Sequence, residues 1–140
     1  MSEESKSGIS RRGLLGATAG GAALFGAIGN EVAFTHADDW LAAVLNRLDE
    51  NRQLLADLLV AHLPKARYRL PEASYLGWVD LTAYPELGDN PAALALANAK
   101  VAFGIGPDFG QGGAGHIRVN FACAPEVLTE AIERLATLVR

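Results

Sequence analysis

The stretch GGAGHIRVNFAC, residues 112–123, decides how the rest of the chain is read. As a strand it sorts by a period of two: Ile117, Val119, Phe121 and Cys123 fall on one face, and His116, Arg118 and Asn120 on the other. The first face is apolar and reads as core. The second carries an arginine at the centre of a short strand, where a guanidinium drawn out of water needs an anionic partner to offset its desolvation. Two sources of that anion are open from spacing. One is a local acid, Asp80 or Asp108; the other is a ligand carboxylate, which the planar fork of an arginine grips better than a lysine does.

Working outward, Pro125 starts a closing helix with Val127, Leu128, Ala131, Ile132, Leu135 and Leu138 along one stripe. Before the strand lies a glycine-rich loop, GPDFGQGGAG, and before that an extended run, VAFGIG. A short helix, PAALALANAK, precedes it, with Pro91 at its first position and Asp89 or Asn90 as cap. Two more extended runs, ARYRL and SYLGWVDLT, flank Pro71. Ahead of them, Leu41, Val44, Leu45, Leu48, Leu55, Leu58 and Leu59 mark one stripe of a long amphipathic helix, capped by Asp38 or Asp39 and stopped by Pro64. The order helix, strand, strand, helix, strand, strand, helix predicts an α/β two-layer sandwich, with helices on one face of a small, mainly antiparallel sheet. Arg118 then lies on the other face.

The chain has 140 residues, enough for one domain with a real core. With 12 basic and 16 acidic residues its net charge is −4, which argues against nucleic acid as a main partner. A single cysteine, Cys123, excludes an internal disulfide framework and reads as a small core residue. Near the amino terminus Arg11 and Arg12 precede a small, weakly apolar stretch, Gly13–Gly29, in the manner of a twin-arginine export signal. That stretch is too short and too glycine-rich for a convincing membrane span. Residues 1–25 therefore read as a leader and 26–140 as the domain.

No self-contained catalytic constellation emerges. Gly110, Gly112 and Gly115 spell G-x-G-x-x-G, but a dinucleotide turn needs a helix after it, and here a strand follows. The loop is then either flexible or tightly turning, or one that closes over a ligand beside Arg118. His36, His62 and His116 have no metal-ligand spacing, so no metal is expected. Glu72 and Asp80 do not pair as acid and base, and Ser74 lies in no nucleophile elbow. No catalytic residue is assigned.

HLPKARYRLPEASYLGWVDL, GIGPDFGQGGAGHIRVNFAC and PEVLTEAIERL together resemble the carboxy-terminal small domain of fold-type I pyridoxal-phosphate enzymes of aminotransferase class I/II. The similarity is to the C-S lyase, or cystathionine beta-lyase, branch, over about residues 26–140. It implies that Arg118 grips the α-carboxylate of an amino-acid substrate such as cystathionine, with Tyr75 and Phe109 adjacent to the site. It also implies pyridoxal phosphate as cofactor, a homodimer and a cytoplasmic location, export being the alternative. Such enzymes hold the cofactor on a lysine. Lys6, Lys65 and Lys100 are the lysines present, and none lies in the segment the family uses. The resemblance thus implies a lyase fragment without its large domain, inactive alone and not expected to bind the cofactor. An aminotransferase of the same family, or a stand-alone exported carboxylate-binding module, is the alternative.

Overall fold

A computed structural model describes residues 11–139 of the chain, with side-chain exposure from residue 23. They fall into two units, 1–43 and 44–140. In the first, helix α1 spans Arg11–His36, and helix α2, Asp38–His62, begins there. The expected leader falls in part on residues 1–10, which lie outside the described residues; its remainder is helical, and α1 runs on without a break past residue 25. Leu24, Phe25, Ile28, Val32, Phe34, Trp40 and Leu41 are exposed on these helices. Among the described residues no helix is long and apolar enough to cross a membrane.

The second unit carries the sheet. Strands β1 (Arg67–Tyr68), β2 (Leu76–Asp80), β3 (Gly104–Ile105) and β4 (His116–Asn120) lie in the order β1-β2-β4-β3, every neighbouring pair antiparallel. Between β2 and β4, Gly77 faces Val119 and Val79 faces Ile117; Trp78 faces Arg118 and Asp80 faces His116. The first set is buried, as the alternation predicts for Ile117 and Val119. The core adds Leu55, Leu58 and Leu59 from α2, Phe121, and Leu128, Ile132 and Leu135 from helix α4 (Pro125–Ala136). Each such side chain contributes roughly 1.5–3 kcal/mol by leaving water. Gly77 lets α2 approach the sheet, since a Cβ there would lie 2.9 Å from Leu55 Cδ2.

The two-layer sandwich is confirmed, with four local differences. The predicted stripe of α2 is buried only in its second half: Leu41 and Leu45 are exposed, and Leu48 is partly buried. Val127 also lies off its stripe, exposed, while Leu128, Ile132 and Leu135 do the packing. The short helix is not uniform. An α-turn, helix α3 (Pro91–Leu94), is capped by Asn90 and widens into a π-turn, Ala95–Ala99. It stops where Lys100 turns left-handed at φ 58° and the Val101 amide reaches back to the Ala95 carbonyl. Finally, VAFGIG pairs with β4 only through Gly104 and Ile105.

Asn51, on the inner stripe of α2, is 1% exposed, and its Nδ2 donates to the carbonyls of Phe121 and Cys123, both at 2.8 Å. These bonds tie the helix to the chain just beyond β4. Replacing Asn51 by Ala leaves two carbonyls without their donor, so Asn51→Ala is expected to lower unfolding free energy by about 2–4 kcal/mol. Urea denaturation measures this; a loss under about 0.5 kcal/mol would show that water replaces the amide.

Asp80 at the end of β2 accepts from the Thr82 hydroxyl at 2.6 Å and amide at 2.8 Å. These bonds, with His116 and Arg67 each 3.9 Å away, outweigh desolvation and hold its carboxyl below the usual range. A depressed folded pKa stabilises the fold above the unfolded pKa and loses that contribution as pH falls through the folded value. The stability gap between wild type and Asp80→Asn is therefore expected to be full near pH 6 and to shrink progressively below about pH 4. A gap that is constant with pH in thermal melts contradicts the assignment.

Candidate functional site

The outward face of the sheet sets Arg118 beside three rings. Arg118 lies at the centre of β4, across from Trp78 on one side and Gly104 on the other. Gly104 keeps that side open: a Cβ there would sit 2.9 Å from Arg118 Cβ and 3.2 Å from its Nε. The guanidinium carbon lies 4.5 Å from the centroid of the Phe109 ring. Trp78 meets Phe109 edge-on, at 5.6 Å and 89°, and stacks on the His116 ring at 5.3 Å and 19°. His116 Nδ1 lies 2.8 Å from the Ala114 carbonyl, which can only accept, so Nδ1 donates there, and Nε2 points towards Asp80.

Neither local acid takes the arginine. Asp80 is engaged by Thr82, Arg67 and His116, and Asp108 forms no ion pair among the described residues. The Arg118 side chain has no hydrogen bond or salt bridge among the described residues, and the residue is only partly buried. A partly exposed guanidinium over an aromatic face, with no acid beside it, can accept a planar carboxylate through two parallel bonds.

The loop that delivers Phe109 is tightly turning. A Cβ on Gly106 would overlap the Gly113 and His116 carbonyls, and one on Gly113 would overlap the Gly106 carbonyl, so main chain packs on main chain at the neck. The neck is tied further by Leu81 N to Gly115 O and Gly115 N to Asp89 O, both 2.9 Å. Between its ends a 3₁₀ turn, Gly106–Phe109, closes with Gly110 N on Pro107 O.

The other singled-out residues lie apart from this cluster or in structural roles. Tyr75 is exposed just before β2, its carbonyl accepting from the Phe121 amide at 3.0 Å. Trp78, not Tyr75, stands across from Arg118; reading SYLGWVDLT for alternation against Val79 would have exposed it. Cys123 is partly buried against the core, and burial pushes its thiol up, away from nucleophile chemistry. Glu72 pairs with Arg69 at 3.1 Å, and Ser74 is exposed at φ 74°. No group of three or more metal-ligating side chains stands together among the described residues. A groove of about 470 Å³ lies between residues 100–103, the end of β4 and α4, without Arg118 in its lining.

No family model matches the sequence. A Mycobacterium leprae protein provisionally named a cystathionine beta-lyase is 40% identical over 123 residues, covering 79% of this chain and 30% of that protein. The cystathionine beta-lyase PatB of Bacillus subtilis is 29% identical over 116 residues, 83% of this chain and 30% of that protein. Among solved structures, the C-S lyase of Staphylococcus hominis with bound pyridoxal phosphate superposes with a TM-score of 0.71 at 34% identity, over 76% of this chain and 29% of that one. Cystalysin from Treponema denticola, which contains the same cofactor, gives a TM-score of 0.70 at 28% identity, over 77% and 27%. The chain thus spans about a third of the length of the curated relatives it matches. By sequence and fold together, the chain matches the C-terminal small domain of the cystathionine beta-lyase, or C-S lyase, branch of the fold-type I pyridoxal-phosphate enzymes of aminotransferase class I/II.

Proposed function

We propose that the chain supplies the substrate-carboxylate grip of a pyridoxal-phosphate-dependent cysteine-S-conjugate beta-lyase acting on amino acids such as cystathionine, with Arg118 as the grip. One observation carries the reading: the guanidinium lies on the outward sheet face with no acidic partner among the described residues. Its contribution is to bind and orient the α-carboxylate. A charge-assisted pair of this kind contributes about 1.5–3 kcal/mol.

On this reading neither described lysine forms the Schiff base with the cofactor. Lys65 Nζ lies 5.6 Å above the Tyr84 ring, and Lys100 Nζ donates to the Ala97 carbonyl at 2.7 Å. Lys6 lies outside the described residues. We therefore assign the cofactor lysine, and with it the chemistry at the α- and β-carbons, to a large domain that works with residues 26–140, in a homodimer of the family type. Residues 1–25 are assigned as a leader and the cytoplasm as the location.

The test uses the full chain labelled with nitrogen-15. Millimolar L-cystathionine or S-methyl-L-cysteine is expected to move the Arg118 Nε–H resonance, while 2-(methylthio)ethylamine, which has no carboxylate, leaves it in place. Arg118→Gln is expected to weaken binding by about tenfold or more. An equal response to the amine would sink the carboxylate grip. A chimera with residues 44–140 in place of the matching segment of the Bacillus subtilis relative then separates the chemistries. Pyruvate release from cystathionine marks a lyase; amino transfer to a 2-oxo acid with sulfur retained marks an aminotransferase.

A further inference from the structure

We infer that Phe109 is a positioning residue for Arg118: its ring face, in place of an acidic side chain, holds the guanidinium where a carboxylate can reach it. The inference rests on the reading of Arg118 as the carboxylate grip. An arginine needs to be held to bind well, because a free side chain loses rotamer entropy on capture. An acid would hold it but would compete with the incoming anion. An aromatic face holds a cation without occupying the in-plane N–H donors, which remain available to a planar anion.

Three observations converge on this role. First, the guanidinium carbon sits 4.5 Å from the Phe109 centroid, and the guanidinium has no hydrogen bond or ion pair among the described residues. Second, Phe109 is itself held. Its ring meets Trp78 edge-on, and Trp78 is backed by the stacked His116 ring, whose Nδ1–H is fixed on Ala114. Third, Phe109 is half-exposed, at 51%, so burial alone does not account for a phenyl ring at this place. It closes a short turn whose neck is main chain packed on main chain at Gly106 and Gly113, which fixes where the ring is delivered. On the far side of β4, Gly104 leaves room for the arginine to be drawn towards the ring.

The full nitrogen-15-labelled chain tests this with Phe109→Leu, Phe109→Tyr and Phe109→Trp. In the free wild type, the Arg118 Nε–H and Cδ protons are expected upfield, shielded by the ring face. Phe109→Leu should remove that shift and weaken S-methyl-L-cysteine binding about two- to fivefold, the range an exposed cation–π contact supports. Tyr and Trp should preserve both, because they restore the π face and not merely the volume. The inference is overturned if Phe109→Leu keeps the upfield shift and the affinity, or if Tyr and Trp fail along with Leu. The two readings also fail separately. An upfield shift lost in Phe109→Leu without any response to S-methyl-L-cysteine removes the carboxylate grip and keeps the ring as the holder of the guanidinium. Carboxylate binding abolished by Arg118→Gln yet indifferent to Phe109→Leu does the reverse.

Discussion

The antiparallel pairing of β2 with β4 sets Val79 against Ile117 on the inner face and, one residue along, Trp78 against Arg118 on the outer one. A slip of one residue would exchange the two faces, exposing the valine and isoleucine and driving the arginine into the core. Burial of Ile117, Val119 and Phe121 therefore does more than stabilise the domain; it fixes which side the guanidinium can occupy. Asn51 reinforces the same choice from the helix layer, because its amide meets the main chain just past β4 and opposes any shift along the strand axis.

Much of this was legible in the sequence, and for identifiable reasons. Alternation in HIRVNFAC has only one sorting into faces, so the core side and the arginine side follow directly. Pro91 and Pro125 mark helix starts because the missing amide proton is not needed there, and both open helices in the structure. The long helix was equally clear, ending at His62 shortly before Pro64.

What escaped the sequence depends on chain path. Asn51 reads as a polar interruption in an apolar stripe until the end of β4 is seen to pass beneath it with two carbonyls to satisfy. The Trp78–Phe109–Arg118 cluster joins residues from two strands and a loop, and no periodicity links them. Leu41 and Leu45 have the right spacing for a core face, yet spacing cannot say whether anything packs on that part of the helix. The Ala95–Ala99 turn looks like ordinary helix in sequence because alanine accommodates α and π windings alike; the left-handed Lys100 that ends it is a conformation few would assign to lysine.

The crossing of main chain at Gly106 and Gly113 divides the loop into a neck and a tip. The neck admits no side chain, which makes it intolerant of substitution whatever the ligand. The tip, residues 107–112, hangs from that fixed crossing and carries Phe109 to the arginine. A change at the tip therefore reaches the arginine through the Phe109 ring alone, while the β2–β4 register that presents the guanidinium stays untouched, so the loop adjusts the grip without resetting the sheet.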